Sequence, residues 1–593
     1  MQKQVLGAAL ALVFVVPQVQ AAPGKASTKP SAASPAPSTA ASLPTQDAEF
    51  DKLVDQYYAE YPAAHPVAAT ALGLHDKDGE LDDVTESGVL RELERILGWR
   101  NRFLALDRKK LSDERAADFD ILLQAIESER LELSEVRGWR RYANSYPSLA
   151  TQSVYVIIKR SFAPEADRLR SVIAREKKIP ALLETGRHNL QGVAKSSVEI
   201  ALAEIGGIKA FFRDDVPRAF PTVKDPALLA ELKQSTDGVL RALDAYKLFL
   251  EKELLPKANA PFAIGEVLFK KKLLADEMID TDLDTLLKQG EAELKRLQEE
   301  FKKTAAKIDP KRSYTEVQDE MSKDHPSADK LISEVRGQLA MLKKFVTDKK
   351  LVTIPSEILP KVEETPPFMQ AMTMASMETP GPFETKATEA YYNVTVPIGA
   401  NWKPAEAEDF LRGAFSRPVM LTTSVHEAYP GHYTQFLWLP KVASKVRKYE
   451  TAASNAEGWA HYCEQLMLDE GFGNGDPKTR LGQLQDALLR AARFVVGIRM
   501  HTRGMTMDEA TEFFHKEGMQ AKRVALQEVR RGTQDPTYLY YTYGKLELFK
   551  LRDEYKKKLG SKFTLAAFHD AFLAEGAAHL PIVRRRLLGT ATK

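Results

Sequence analysis

His426 and His432 bracket the segment His426-Glu427-Ala428-Tyr429-Pro430-Gly431-His432, with Glu427 directly beside the first of them. Two imidazoles and a neighbouring carboxylate are the parts of a metal-assisted hydrolysis site: the histidines hold an ion and the glutamate handles the proton of its water. In the common form of that motif the histidines stand four residues apart on a helix. That is about 40° of rotation, so they share a face. Here they stand six apart, about 240° of rotation, and a straight helix would point them to different faces. Pro430 removes a backbone donor and clashes with the preceding turn. Gly431 accepts backbone angles that other residues avoid. The segment therefore predicts a bulge that loops out two residues and returns both histidines to one metal.

A catalytic zinc takes three protein ligands and keeps a fourth position for water. Glu457 is the best third ligand: it opens Glu457-Gly458-Trp459-Ala460-His461-Tyr462-Cys463-Glu464, an apolar helical stretch that begins 25 residues after His432. A carboxylate there is costly unless it has a partner. His461 is the runner-up ligand, and His461 or Glu464 could support the ligands from behind. The histidines at 65, 75, 188, 325, 515, 569 and 579 show no ligand spacing and read as structural or solvated. The single cysteine, Cys463, excludes an intramolecular disulfide and reads as buried packing rather than a nucleophile.

The elements that must carry these residues are mostly helices. Leu481, Leu484, Leu488, Val495 and Ile498 keep one face apolar. Asp225-Pro226 opens a helix to about Glu253, and Thr506-Met507-Asp508-Glu509 caps another. Two runs read as strands, Leu351–Ile354 and Tyr391–Val396. The second could receive an extended peptide by strand addition, and equally reads as an ordinary strand of a small sheet. Residues 47–593 form one large helical unit with no internal repeat. Upstream, Lys3 and the apolar run Val5–Val16 precede Val19-Gln20-Ala21, the pattern of a cleaved signal peptide over 1–21. The run is too short to span a bilayer, which needs about 20 residues. No cysteine follows it to carry a lipid. Residues 22–46 are rich in Pro, Ala, Ser and Thr and read as a disordered linker. The expectation is an exported protein, periplasmic or secreted, not inserted in a membrane after cleavage. Its 84 basic and 82 acidic side chains nearly cancel, which argues against a nucleic-acid partner.

These motifs resemble the bacterial family labelled domain of unknown function 885, over most of the mature chain. Pro66-Val67-Ala68-Ala69-Thr70-Ala71-Leu72-Gly73-Leu74-His75-Asp76 is similar to its N-terminal signature. His426 to His432 matches its His-Glu-x-x-Pro-Gly-His core, and Glu457-Gly458-Trp459-Ala460 its third-ligand helix. Arg490 to His501 resembles a later helix ending in His, and Arg531, Pro536 and Tyr541-Thr542-Tyr543-Gly544-Lys545 follow the family's order. Two positions depart from it: Tyr433 stands where a second His is common, and Gly497 where Asp is common. The resemblance implies a mainly α, zincin-like domain with a deep cleft and a small β-sheet, similar to the angiotensin-converting and neurolysin-like peptidases.

The reading that joins these parts is a zinc peptidase acting on peptides. His426, His432 and Glu457 hold one Zn²⁺, and Glu427 is the general base. Tyr541 stabilises the oxyanion, with Tyr543 and His501 behind it, and Arg531 binds a substrate carboxylate. Two rivals remain open: a non-catalytic exported metal- or peptide-binding helical protein, and a zinc hydrolase acting on a non-peptide amide or ester.

Overall fold

The helices begin where local chemistry starts them. Asp225 accepts hydrogen bonds from Ala227 N–H and Leu228 N–H, with Pro226 at the first turn, and the helix Pro226–Phe249 runs on into a wider turn ending at Leu254. Thr506 and Glu509 exchange side-chain and backbone bonds as a capping box ahead of Met507–Lys516. Asp476 caps the helix Pro477–Thr502, which packs along Leu283–Ile308 through Leu481, Leu484, Leu488 and Val495 on one side and Leu294, Leu297 and Phe301 on the other. The computed structural model describes residues 46–589 apart from 367, 371, 372, 400 and 401. The expected signal peptide and all but the last residue of the expected linker lie outside the described residues. Among the described residues no helix is long and apolar enough to cross a membrane.

The protein is mainly helical with one small sheet. The sheet has three strands, β1 (Lys361–Glu364), β2 (Ala375–Glu378) and β3 (Tyr391–Val394), in the order β1-β3-β2. β3 pairs parallel with β1 and antiparallel with β2. The cross-strand row Val362, Tyr392, Met377 faces the large core, where Tyr392 Oη lies 3.4 Å from Ser424 Oγ on the helix that carries His426. The opposite face carries Asn393, whose amide donates to Glu378 at 2.8 Å, and Tyr155, whose hydroxyl donates to the same carboxylate.

Two expectations about strands need correction. Leu351–Ile354 is an irregular segment. Leu351 N–H bonds back to Val346 O, Thr353 N–H bonds to Asp570, and Thr353 O accepts from the Trp438 indole. Its backbone partners are side chains and a helix end, so no ladder forms. β3 does exist, but it lies between two strands and has no edge to offer a peptide; the free edge, which borders the cleft holding His426 and His432, belongs to β2.

The Pro66–Asp76 motif latches the loop after β2. His75 bridges two carboxylates, Asp78 at 3.0 Å and Glu384 at 2.9 Å, and stacks on Phe162. Burial disfavours its charged form, but Asp78 and Glu384 outweigh this and raise its pKa from 6.5 to about 9. The stabilisation is therefore complete below about pH 6.5 and is lost as pH rises through about 9. Discounted for the ring's partial exposure, it amounts to roughly 1–2 kcal/mol. The melting temperature is expected to fall across that window, and His75→Gln should flatten the fall, as measured by thermal unfolding at a series of pH values.

Candidate metal centre

The first histidine helix, Arg417–Glu427, stops at Glu427, and a second, His432–Trp438, starts at His432. The expected two-residue bulge in one continuous helix is instead a complete break. Ala428 leaves helical angles (φ −113°, ψ −81°), the Tyr429–Pro430 peptide is cis, and Gly431 turns the chain into the new helix. The turn is closed by Gly431 N–H donating to Val425 O at 3.1 Å. Gly431 is needed for space: a β-carbon there would meet His426 O at 1.9 Å and Val425 O at 2.4 Å. The Trp459 indole donates to Pro430 O at 2.9 Å and Gly431 O at 3.2 Å. It thereby fixes the turn to the helix Ala453–Asp469, which carries Glu457 two residues earlier.

The break in helical phase brings the donors together. The His426 and His432 rings stand 4.7 Å apart at 88°, and their Nε2 atoms lie 3.3 and 3.4 Å from one oxygen, Glu457 Oε2. All three side chains are buried. Glu457 Oε2 has no hydrogen bond there, which is costly for a buried carboxylate oxygen. A tetrahedral zinc with ligands at about 2.0–2.1 Å separates neighbouring donors by about 3.3–3.4 Å. The donor chemistry, the spacing and the orphaned oxygen all fit such an ion. His426, His432 and Glu457 are the set that could hold it.

Glu464 stands behind His426. It receives the imidazole Nδ1–H at 2.7 Å, Arg490 at 3.0 Å and His461 at 3.1 Å. Burial opposes its charge, but Arg490 and His461 hold the carboxyl well below the usual range. An ionised Glu464 holds the proton on Nδ1, which would leave Nε2 as the nitrogen to meet an ion. His461, the runner-up ligand, is spent on this support and does not join the triad. Glu427 lines the cleft next to the triad, and burial pushes its carboxyl pKa up.

The cleft opens to solvent beside the triad. Its walls include Ala375 and Ser376 of β2, Phe415, the triad, and one side of Pro477–Thr502. Tyr541 lines it, placed by an intimate helix contact: β-carbons at Gly458 or Gly544 would strike the opposing backbone at 2.6 and 1.9 Å, so Ala453–Asp469 and Tyr540–Leu559 meet without side chains between them. Tyr541 Oη accepts from Arg531 Nη2 at 3.1 Å, and burial pushes the phenol up to about 12. Arg531 also lines the cleft, with Asp535 holding its Nε and Nη2 edge.

Tyr543 and His501 fall outside the cleft. Two residues along a helix is about 200° of rotation, so Tyr543 leaves the side that Tyr541 occupies and packs beside Leu283 and Ile264. His501 is a structural tie: Nε2–H donates to Gly532 O at 2.7 Å and Nδ1 accepts from Ile264 N–H at 3.4 Å. Three further cleft residues, Asp486, Arg490 and Arg493, were not anticipated as site residues. Their signal was available, as charges at i, i+4 and i+7 among the apolar residues Leu484, Leu488, Leu489 and Phe494 of one helix.

A mainly helical chain whose two histidines and one glutamate meet in a cleft is the class that fold and site define. The model of the family described as "Bacterial protein of unknown function (DUF885)" matches residues 66–587, and the chain belongs to that family. It is similar to the solved structure of "a putative lipoprotein of unknown function from Shewanella oneidensis". The identity is 28%, the TM-score 0.75, and the match covers 91% of this chain and 99% of that one. It shares its fold with "the putative lipoprotein from Colwellia psychrerythraea", at 18% identity and a TM-score of 0.77, over 91% of this chain and 98% of that one. No curated protein matches the chain.

Proposed function

We propose that this chain is an exported zinc-dependent peptidase of the zincin-like type acting on short peptides. The observation that carries the reading is the convergence of two Nε2 atoms on an unbonded Glu457 Oε2 at 3.3 and 3.4 Å, in a cleft that also holds Glu427. A bound zinc would supply Lewis acidity, polarising a carbonyl and acidifying water. Glu427 takes the proton of the attacking water and passes it to the amine as the C–N bond breaks. Tyr541 donates its hydroxyl hydrogen to the carbonyl oxygen as that oxygen gains charge, since Arg531 already supplies the bond its lone pair accepts. Arg531 holds a substrate carboxylate through Nη1, which bonds to no described residue, while Asp535 fixes its other edge. An extended peptide would lie along the β2 edge.

A closed structural site would need a fourth protein donor. Among the described residues only three converge here, which favours an open position for water and therefore the enzyme. Export is supported by the Lys3–Ala21 segment and by the fold shared with two proteins described as lipoproteins. The test is a digest of a peptide library by the zinc-loaded protein beside a chelator-treated control. Cleavage that disappears with the metal is expected; ester hydrolysis without peptide cleavage would move the substrate class, and no metal-dependent hydrolysis at all would overturn the reading.

A further inference from the structure

The ionic groups that line the metal cleft are nearly all matched within the protein. Arg493 grips Glu528 with two bonds of 2.5 and 2.8 Å, Arg531 is held by Asp535, and Arg490 reaches Glu464 at 3.0 Å. Glu457 faces the two histidines. Besides Glu457, whose Oε2 faces the two histidines without a hydrogen bond, two carboxylates on the cleft wall make no hydrogen bond to any described residue: Glu427, which has its role in the proposed hydrolysis, and Asp486. Asp486 sits on Pro477–Thr502, one turn before Arg490. The nearest cation is Arg490, which bonds Glu464 through Nη2; its Nη1 stands 3.9 Å from the Asp486 carboxylate, an ion pair too long for a hydrogen bond, and its buried Nε and Nη1 have no hydrogen-bond partner. The Asp486 side chain is 14% exposed, so it is reachable from the cleft while largely desolvated. A carboxylate in that state gains from any cation brought to it. Burial, with the Glu464 carboxylate, pushes its pKa up to about 6 although Arg490 pulls the other way.

We propose that Asp486 is a specificity-determining residue that receives the ammonium group of the substrate, either a free peptide amino terminus or a lysine-like side chain. This rests on the peptidase reading above. It makes the cleft dipolar, with an ammonium site at Asp486 and a carboxylate site at Arg531, both in the lining of the cleft that holds His426, His432 and Glu457. Short peptides with free ends present that pair of charges.

The test uses the full zinc-loaded chain and two pairs of short synthetic peptides. One pair differs only in a free or acetylated amino terminus; the other, acetylated throughout, carries lysine or norleucine beside the scissile bond. In the wild-type protein one cationic member is expected to exceed its neutral partner about 10–100-fold in kcat/KM, chiefly through KM, the worth of one charge-assisted bond. The pair that shows the preference identifies the source of the ammonium. Asp486→Asn should bring that ratio close to one, and Asp486→Glu should restore part of it. A ratio that Asp486→Asn leaves intact, or a wild-type ratio near one in both pairs, overturns the proposal. The same peptides are titrated by calorimetry into zinc-loaded Glu427→Gln protein, with and without Asp486→Asn. A binding preference that disappears with Asp486→Asn, in a protein that cleaves nothing, keeps the ammonium site and overturns only the peptidase reading. No binding preference overturns the ammonium site alone.

Discussion

The Glu427→Gln protein is expected to bind one zinc as the wild type does and to lose roughly 10²–10⁴-fold in kcat, the worth of a positioned general base. Glu427 follows His426 directly, but it is not among the three donors that converge, so its substitution leaves the metal set whole. Glutamine keeps its size and removes only the ability to take a proton. Folding should not suffer, because burial already pushes the Glu427 carboxyl pKa up and a neutral amide escapes that cost. The measurements are zinc content by mass spectrometry, melting temperature, and turnover of a peptide drawn from the library digest. Full turnover by the variant would remove Glu427 from the chemistry. Loss of zinc would mean that it contributes to metal binding in a way the geometry of the triad does not account for.

How much of this site could be read from the sequence depended on whether the cause was local. The caps at Asp225 and Thr506 are contacts within three residues, and both are present as anticipated. That His426, His432 and Glu457 come together was legible for a different reason. A six-residue spacing demands an interrupted helix, Pro430 and Gly431 supply the interruption, and a carboxylate in an apolar helix asks for a partner. The form of the interruption was not legible. Whether a chain bulges or breaks depends on Trp459 reaching the Pro430 and Gly431 carbonyls from a different helix. β2 escaped notice because Ala-Ser-Met-Glu has little strand character, and its pairing partners lie 13 (Glu378 with Tyr391) to 19 (Ala375 with Val394) residues downstream. The choice between Tyr541 and Tyr543 turned on which face of Tyr540–Leu559 meets Gly458, and the distant helix decides that. Arg531 was expected to bind a substrate carboxylate; that Asp535, Tyr540 and Tyr541 share its Nη2 was not legible, since they meet it only in the fold.

The break itself gives the second large effect. Gly431→Ala is expected to cost about 3 kcal/mol or more, at or above the roughly 1–3 kcal/mol usual for overpacking, and to weaken zinc binding at least tenfold. The β-carbon would stand 1.9 Å from His426 O and 2.4 Å from Val425 O. Both are backbone atoms in the last turn of the first histidine helix, so no side chain can swing aside to relieve the contact. Relief requires moving that helix end or the start of His432–Trp438, and either movement shifts a histidine. Metal–ligand distances tolerate only about 0.2 Å, so a backbone shift of several tenths of an ångström separates donors now spaced for one ion. Gly238→Ala is the control: it lies within the helix Pro226–Phe249 with nothing near its added β-carbon, and should stabilise by up to about 1 kcal/mol. Chemical denaturation of both variants, with zinc competition against a chromogenic chelator, separates a general glycine effect from a local one. If Gly431→Ala melts and binds zinc as the wild type does, the turn has room that this geometry denies, and the histidines are held in place by something other than the break between them.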